Sequence, residues 1–334
     1  MSRTLIIAEA GVNHNGDLGL ALALVEIAAE AGADYVKFQT FNAERITTSS
    51  AIKAKYQLAN TDESETQRAM LKKLELTYEM HQSIIEHCSR HDIAFLSTGF
   101  DVESVEELVS LGIEIIKIPS GEITNLPYLR YIGQLNKQVI MSTGMATLDE
   151  VGDAIRALEA AGQERQNLTI LHCSTEYPAS VETVNLHAMK TISEKFGVRV
   201  GYSDHTQGWE VAVAAVSLGA SVLEKHFTSD RKLQGPDHQA SLEPYELKAM
   251  ISAIRNVEMA LGDGSKVPSP IELSNRNVAR KSIVARAAIS KGDQFTLENL
   301  TVKRPGTGIS PMKWDEVLEQ RAQRDFAIDE AIET

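Results

Sequence analysis

The sequence is poor in cysteine and in long apolar runs. Its 334 residues include two cysteines, Cys88 and Cys173, each inside a regular segment, so buried free thiols are expected rather than a disulfide. The longest largely apolar stretch, residues 211–223, is interrupted by Ser217 and Gly219 and is shorter than the ~18 residues that span a bilayer. No signal peptide is expected before the first strand, so the sequence predicts a cytoplasmic protein with no membrane partner.

Positive charge is also scarce. The chain has 33 Lys and Arg residues against 46 Asp and Glu residues, for a formal net charge of -13. This balance argues against a nucleic-acid partner, because nucleic-acid phosphates need a basic face. Small anionic substrates remain compatible with it, because a local basic pocket can lie within an acidic protein.

A repeating unit runs through the first three quarters of the chain: a helical segment ends at glycine, and a short apolar strand follows. Glycine after the last helical turn is a common left-handed cap. The pattern predicts strands at residues 5–11, 35–40, 94–100, 115–121, 139–145, 168–174, 198–203 and 222–228. Eight strand–helix units in about 260 residues predict an α/β protein with a (β/α)8 TIM barrel. An open doubly wound sheet would need a G-x-G-x-x-G turn after its first strand, and residues 11–16 lack that spacing.

The domain boundaries of the chain are predicted from one long loop and from a change in composition. Residues 41–78 form an unusually long connection after the second strand, as expected of a lid or substrate wall. Glycine, proline and serine then mark a break in the pattern. The sequence therefore predicts a catalytic barrel over residues 1–262, a linker over 263–277 and a small domain over 278–334.

The carboxyl ends of the predicted strands carry polar groups, and barrel active sites lie at those ends. Ser203 shares a strand face with His205, and Glu224 shares one with His226, because side chains alternate along a strand. If that face is the inner one, the two histidines converge and can form an open divalent-metal site. The alternative is a pair of hydrogen-bonded core histidines.

Two lysines, Lys37 and Lys117, lie in strands that are otherwise apolar. A buried lysine is costly unless its ammonium group meets an anion. One interpretation is that both lysines, with nearby hydroxyl groups, bind a phosphate and a carboxylate. Two alternatives stay open: salt bridges to Glu9, Glu122 or Glu224, and a Schiff-base lysine, which would indicate an aldolase.

The strand ends resemble the sialic acid synthase family, and the tail is similar to its antifreeze-like (SAF) domain, which is β-clip-like. The resemblance is carried by residues 8–16, 36–40, 117–122, 142–145, 202–206, 224–227, 235–238 and 302–308. It implies condensation of phosphoenolpyruvate with an N-acetylated mannosamine-type sugar, with loss of phosphate by C–O cleavage. The product would be N-acetylneuraminate from N-acetylmannosamine, or N,N'-diacetyllegionaminate from 2,4-diacetamido-2,4,6-trideoxymannose. The overall resemblance leans towards the legionaminate reaction.

The resemblance also implies residue roles. His205 and His226 would bind Mn2+, for which Mg2+ or Co2+ could substitute, and Glu122 and Glu9 would act with them in catalysis. The implied phosphoenolpyruvate-binding residues are Lys37, Thr98, Lys117, Ser120, Ser142 and Ser203, and a hydroxyl at Thr175 could also donate to phosphate. Gln39, Tyr177, Glu224 and Asp237 would orient the sugar or metal-bound water. Arg304 would reach the sugar of a partner subunit in a homodimer with swapped tails.

Two rival functions remain at this point. The first is a Schiff-base lyase on the same barrel, using Lys37 or Lys117. The second is a non-catalytic carbohydrate-binding protein, suggested only by the antifreeze-like tail. The density of polar side chains at the strand ends favours an enzyme over a binding protein.

Overall fold

The computed structural model describes residues 3–62 and 64–334. The chain divides into two compact units, with the boundary between Asp263 and Gly264. None of the helices in the described part of the chain is both long and apolar enough to cross a membrane. The two cysteines, Cys88 and Cys173, are buried and unpaired with each other.

The first unit is a closed barrel of parallel strands in sequential order, which confirms the predicted TIM barrel. Its strands are β1 Leu5–Gly11, β2 Tyr35–Thr40, β3 Ala94–Gly99, β4 Ile115–Ile118, β5 Gln138–Ser142, β6 Leu168–Cys173, β7 Arg199–Asp204 and β8 Val222–His226. The prediction overran β4, which ends at Ile118 because Pro119 has no N–H to pair and a 3-10 turn, Ser120–Glu122, follows. It also overran β5, which stops at Ser142 rather than at Met145.

Helices cover the outside of the barrel and fill the long loops. They are α1 Leu18–Ala31, α2 Ala43–Ile46, α3 Lys55–Asn60, α4 Gln67–Lys72, α5 Tyr78–Arg90, α6 Val102–Ser110, α7 Leu126–Leu135, α8 Leu148–Ala160, α9 His187–Phe196, α10 Glu210–Ser217 and α11 Pro244–Leu261. Helix α1 ends at Gly32 in the left-handed conformation, as its glycine predicted. A capping box of Thr147 and Glu150 begins α8, where each side chain bonds the other residue's backbone N–H.

The barrel strands bury both faces, which explains their apolar sequences. Their inner face begins with an apolar layer that closes the floor of the barrel. It comprises Ile7, Leu96, Ile115, Ile140, Leu171 and Val222, which pack together as one cluster. Because side chains alternate along a strand, the residue two positions further along each of these strands also points inward, towards the carboxyl end. The next inner layer therefore lies at the mouth.

The long connection after β2 contains the three short helices α2, α3 and α4. Lys53 holds the segment together, because its ammonium group donates to the Thr61 hydroxyl over 3.0 Å and also to the Asp62 carbonyl. Phe41, at the start of the connection, packs edge-on against Phe100 after β3, with ring centroids 5.9 Å apart. The connection is thus anchored to the carboxyl end of the barrel.

The second unit has its own small core. It contains α12 Pro270–Ala279, β9 Ser282–Ala285, β10 Leu300–Lys303 and α13 Trp314–Leu318, and β9 pairs with β10 in an antiparallel sheet. Ile283, Phe295 and Phe326 belong to its buried cluster. The segment predicted as a linker, 263–277, includes most of α12, which begins with a capping box between Ser269 and Glu272.

Candidate active site

The predicted site residues of the barrel converge on one cavity of about 490 Å³ at the carboxyl ends of the strands. They are Glu9, Lys37, Gln39, Thr98, Lys117, Ser120, Glu122, Ser142, Thr175, Tyr177, Ser203, His205, Glu224, His226 and Asp237. Both histidines point into the barrel, as the sequence analysis assumed. Glu224 and His226 follow the floor residue Val222 at intervals of two, and His205 lies beside His226 in the same cavity. Arg304 lies in the second unit, where its side chain is exposed.

Lys37 is enclosed by two carboxylates and a hydroxyl group. Its Nζ lies 2.9 Å from Glu9 Oε2 and 3.5 Å from Glu224 Oε2, and it donates to Thr98 Oγ1 over 2.8 Å. All of these side chains are buried. The salt-bridge alternative is therefore present, through Glu9 and Glu224.

Lys117 shares Glu224 with Lys37. Its Nζ lies 3.5 Å from Glu224 Oε1 and donates to Ser142 Oγ over 2.7 Å. Ser203 Oγ donates to the same Glu224 oxygen over 2.9 Å. One carboxylate thus holds two ammonium groups and a hydroxyl group in place.

The two carboxylates of this network titrate in opposite directions. Burial raises the pKa of Glu9 to about 7, and repulsion from Glu224 adds to that rise although Lys37 opposes it. Burial also acts against ionised Glu224, but Lys117 and Lys37 outweigh it and lower the pKa of Glu224 to about 2. Burial lowers the pKa of Lys117 although Glu224 opposes this, whereas Glu224 and Glu9 outweigh burial and raise the pKa of Lys37. While both lysines are protonated, two ammonium groups face one full carboxylate and one that is partly protonated near neutral pH. The net positive charge makes this part of the mouth suited to an anion.

His205 and His226 lie side by side, with ring centroids 5.5 Å apart. His205 Nδ1 donates to the Ser174 carbonyl over 2.5 Å, which leaves its Nε2 as the lone-pair nitrogen of a neutral ring. Burial lowers the pKa of both histidines, so neutral imidazoles are favoured. Within residues 3–62 and 64–334, the Nδ1 atom of His226 is buried without a hydrogen-bond partner.

Two neutral imidazoles with an available lone pair fit a divalent cation that takes its remaining ligands from water or substrate oxygens. Among the described residues, no third His, Cys, Asp or Glu of the mouth joins the two histidines in a group whose ligand atoms all lie within 4.8 Å of one another. The protein would therefore supply two nitrogen donors and leave other positions open, as in a catalytic rather than a structural metal site.

Tyr177 covers the histidines. Its ring lies 4.2 Å from the His205 ring and 5.0 Å from that of Tyr56, measured between centroids. Burial raises the pKa of Tyr177, so its hydroxyl group stays protonated. Asp237 lies in the same cavity, and burial raises its pKa to about 6.

Glu122 and Ser120 lie on the turn that follows β4. Glu122 Oε2 accepts a hydrogen bond from Asn125 Nδ2 over 2.6 Å, so Glu122 pairs with an amide and not with either lysine. The Ser120 hydroxyl accepts from the Gly144 N–H over 2.9 Å. A Cβ at Gly144 would lie 2.5 Å from the Thr175 methyl carbon Cγ2 and 2.9 Å from Ser120 Oγ, so glycine is what allows the Thr175 methyl group and the Ser120 hydroxyl group to approach the backbone.

One side of the cavity is apolar. Its wall is built by Val12, Phe41, Ile46, Leu71, Leu74 and Phe100, which form a cluster and all line the cavity. We call these six residues the apolar wall. Most of them come from the long connection after β2, and they give the mouth a non-polar surface beside the charged one.

Several functional groups escaped the sequence analysis. Tyr56 and most of the apolar wall lie in the long connection, where the sequence has no strand-end position to mark them. Asn125 was not among the predicted site residues, although its spacing of three residues from Glu122 is typical of a turn. Asp204 and Lys225 were not predicted as a pair; they are fully buried on the outward face, with Nζ and Oδ2 2.9 Å apart.

Both parts of the chain match known protein families. Residues 24–266 match the model of the NeuB family, and residues 280–334 match the SAF domain. The chain is 54% identical to the N,N'-diacetyllegionaminic acid synthase of Campylobacter jejuni, over 99% of each chain. It is 49% identical to the enzyme of the same name from Legionella pneumophila, over 96% of this chain and 91% of that one.

Among solved structures, the N-acetylneuraminic acid (sialic acid) synthetase of Leptospira borgpetersenii superimposes with a TM-score of 0.73 and 33% identity. That match covers 82% of this chain and 90% of the other. The family resemblance inferred from the strand ends is confirmed, since the family model spans most of the barrel. The chain belongs to the NeuB family.

Proposed function

We propose that this protein is an N,N'-diacetyllegionaminate synthase. It condenses phosphoenolpyruvate with 2,4-diacetamido-2,4,6-trideoxymannose and releases phosphate. The observation that carries this proposal is the pairing, in one cavity, of two buried lysines with two neutral histidines. The relatives with the legionaminate name, at 54% and 49% identity, support this product over the neuraminate product of the solved relative at 33%.

Phosphoenolpyruvate binds at the lysine side of the mouth. Lys37 and Lys117 supply the positive charge. Thr98 and Ser142 accept hydrogen bonds from these lysines and Ser203 donates to Glu224, so all three hydroxyl groups lie beside the position of the anion. The salt bridges to Glu9 and Glu224 already fix the positions of both ammonium groups, so little side-chain entropy is lost when phosphoenolpyruvate binds. Ser120 and Thr175, which both pack against Gly144, supply further hydroxyl donors for the phosphate.

A divalent cation, with Mn2+ as the first candidate and Mg2+ or Co2+ as substitutes, would be held by His205 and His226. When bound, it would polarise the aldehyde oxygen of the open-chain sugar as a Lewis acid. The Ser174 carbonyl keeps His205 in the tautomer that a cation needs. Tyr177 shields both rings from water.

The carbon–carbon bond forms between the methylene carbon of phosphoenolpyruvate and the aldehyde carbon of the sugar. Water then adds to the resulting cationic C2, and phosphate leaves with cleavage of the C–O bond. Glu122 lies on the β4 turn as the acid–base group for these proton movements. Glu9, whose pKa is about 7, can hold or release a proton at neutral pH, so it is the second acid–base group. Gln39 donates to Glu9 Oε1 over 3.3 Å and orients it, and Asp237 faces the sugar.

The apolar wall supports the deoxygenated sugar. The trideoxy sugar has a methyl group where N-acetylmannosamine has a hydroxymethyl group, and its second acetamido group adds another methyl. Leu71, Leu74 and Phe41 offer these methyl groups a non-polar contact and offer a hydroxyl group no hydrogen-bond partner. An unpaired hydroxyl against this surface costs binding energy, so the wall favours the legionaminate precursor.

The active enzyme is proposed to be a cytoplasmic homodimer in which each tail serves the partner's barrel. Arg304 is exposed in a small unit with its own core, and its guanidinium group suits the carbonyl of an N-acetyl group. The two cysteines, buried and unpaired with each other, are compatible with a reducing compartment.

A phosphate-release assay tests the function. The purified protein is mixed with phosphoenolpyruvate, Mn2+ and either 2,4-diacetamido-2,4,6-trideoxymannose or N-acetylmannosamine. Phosphate release with a higher kcat/KM for the trideoxy sugar supports the proposal; a preference for N-acetylmannosamine contradicts the product assignment. Borohydride added with substrate distinguishes the lyase alternative, because it traps a Schiff base at Lys37 or Lys117 and leaves a synthase unmodified.

A further inference from the structure

Glu26, His87 and His91 form a compact group on the outside of the barrel. Glu26 lies on α1, and the two histidines lie one turn apart, at the end of α5 and on the residue that caps it. The ligand atoms of the three side chains all lie within 4.8 Å of one another. In the described ranges 3–62 and 64–334, this is the one group of three or more His, Cys, Asp or Glu side chains that meets in this way.

The geometry directs two ring nitrogens at one carboxylate. His87 Nε2 lies 3.0 Å and His91 Nε2 lies 3.9 Å from the same oxygen, Glu26 Oε1. The two imidazole rings have centroids 4.4 Å apart and planes inclined by 43°. Residues four apart share one face of a helix, so α5 presents both rings to α1.

The surrounding charge favours a cation at this position. The group lies at the carbonyl end of α5, where the partial negative charge of the helix stabilises positive charge. Helix α1 ends nearby with acidic residues, Glu26 and Glu30, and has no basic residue in its last turn. Glu26 and Glu30 therefore lie near the negative end of the α1 dipole, and a bound cation would offset this accumulation of negative charge.

We propose that Glu26, His87 and His91 bind a divalent transition metal, Zn2+ by preference, which clips α1 to α5. Two imidazole nitrogens and one carboxylate oxygen are a donor set that suits zinc, whereas Mg2+ and Ca2+ favour oxygen ligands alone. The side chains of Glu26, His87 and His91 are 49%, 12% and 36% exposed, so water can complete the coordination of the metal. The site lies three residues before β3 begins, at the end of the barrel opposite the mouth, so it is remote from the reacting groups and would act by joining α1 to α5.

Isothermal titration of the full-length protein with ZnCl2 tests the proposal. His91→Ala and Glu26→Gln remove one ligand each, and His187→Ala removes an exposed histidine outside the group as a matched control. The mouth can also bind metal, so His205→Ala is titrated in parallel. We expect His91→Ala and Glu26→Gln to lose one Zn2+-binding event, or to weaken it by more than about tenfold, while His187→Ala and His205→Ala retain it.

Two further measurements separate this site from the active site. Zn2+ should raise the unfolding temperature of the wild type, and this rise should shrink in His91→Ala, since only binding to the folded state stabilises it. The Mn2+-supported phosphate release of His91→Ala should equal that of the wild type. Equal Zn2+ stoichiometry and affinity in the wild type, His91→Ala and Glu26→Gln would overturn the proposal, whatever the catalytic assay shows. Equal losses in His187→Ala would also overturn it, as non-specific surface binding.

Discussion

The affinity for phosphoenolpyruvate should depend on the protonation of Glu9. Below pH 7 the Glu9 carboxyl group is mostly protonated, so the two lysines face Glu224 alone and the mouth carries one net positive charge. Above pH 7 Glu9 ionises and cancels that charge. Because phosphoenolpyruvate is an anion, its affinity should fall as the pH rises through about 7.

The size of the effect follows from the position of Lys37. Glu9 Oε2 lies 2.9 Å from Lys37 Nζ. An anion that accepts a hydrogen bond from another corner of the same tetrahedral ammonium group would lie about 5 Å from Glu9. At an effective dielectric constant of about 20, repulsion between unit charges at that distance is about 3 kcal/mol, or roughly 100-fold in affinity. Phosphoenolpyruvate then binds almost only to protein in which Glu9 is protonated. The population of that form falls about tenfold between pH 6 and pH 8.

Equilibrium binding in metal-free buffer measures this dependence without catalysis. The dissociation constant of phosphoenolpyruvate should rise about tenfold from pH 6 to pH 8 for the wild type. The Glu9→Gln variant, which has the same shape and no charge, should show only the smaller change that the ligand's own titration produces. Asp237→Asn should behave like the wild type, because Asp237 pairs with neither lysine. An equal rise in wild type and Glu9→Gln would refute the reasoning.

Three further predictions have defined outcomes. Leu71→Gln introduces an amide into the apolar wall, so the kcat/KM for the trideoxy sugar relative to N-acetylmannosamine should fall roughly tenfold; an unchanged ratio would exclude the wall from sugar selection. Arg304→Met and His205→Ala should each be inactive alone, whereas subunits exchanged between them should recover roughly a quarter of wild-type phosphate release if the tails are swapped; no recovery in a verified mixed dimer would contradict the swap. Lys225→Met leaves Asp204 buried without its partner, so urea denaturation should show a loss of about 3–5 kcal/mol, and a loss below about 1 kcal/mol would show that the pair is dispensable.

The barrel and the set of mouth residues could be predicted because both depend on local periodicity. Glycine-capped helices and short apolar strands repeat at regular intervals, and alternation along each strand decides which side chains point inward. Alternation put Ser203 on one face with His205 and Glu224 on one face with His226, and it left open which face points into the barrel. The errors lay at strand ends such as β4, where Pro119 stops the ladder before the alternation of the sequence does.

The pairing of charges could not be predicted in the same way. The sequence left Glu9, Glu122 and Glu224 as equal partners for the lysines, because the choice depends on which strands are neighbours and on their register. In the barrel, Glu9 lies opposite Lys37 and Ser203 lies opposite Glu224. Glu122 instead follows a turn and pairs with Asn125. The apolar wall was hidden for a related reason: it combines residues of a loop with the ends of β1 and β3, and no single periodicity connects them.

The arrangement of charges also explains how so polar a mouth can fold without its substrate. Two lysines buried in a barrel would be costly alone, but Glu224 accepts both and Glu9 supports one of them. Because Glu9 has a pKa near 7, its negative charge can be removed by one proton when an anion arrives, whereas Glu224 stays ionised and keeps the lysines aligned. The two carboxylates thus divide the work: Glu224 fixes the geometry of the site, and Glu9 adjusts its charge to the ligand.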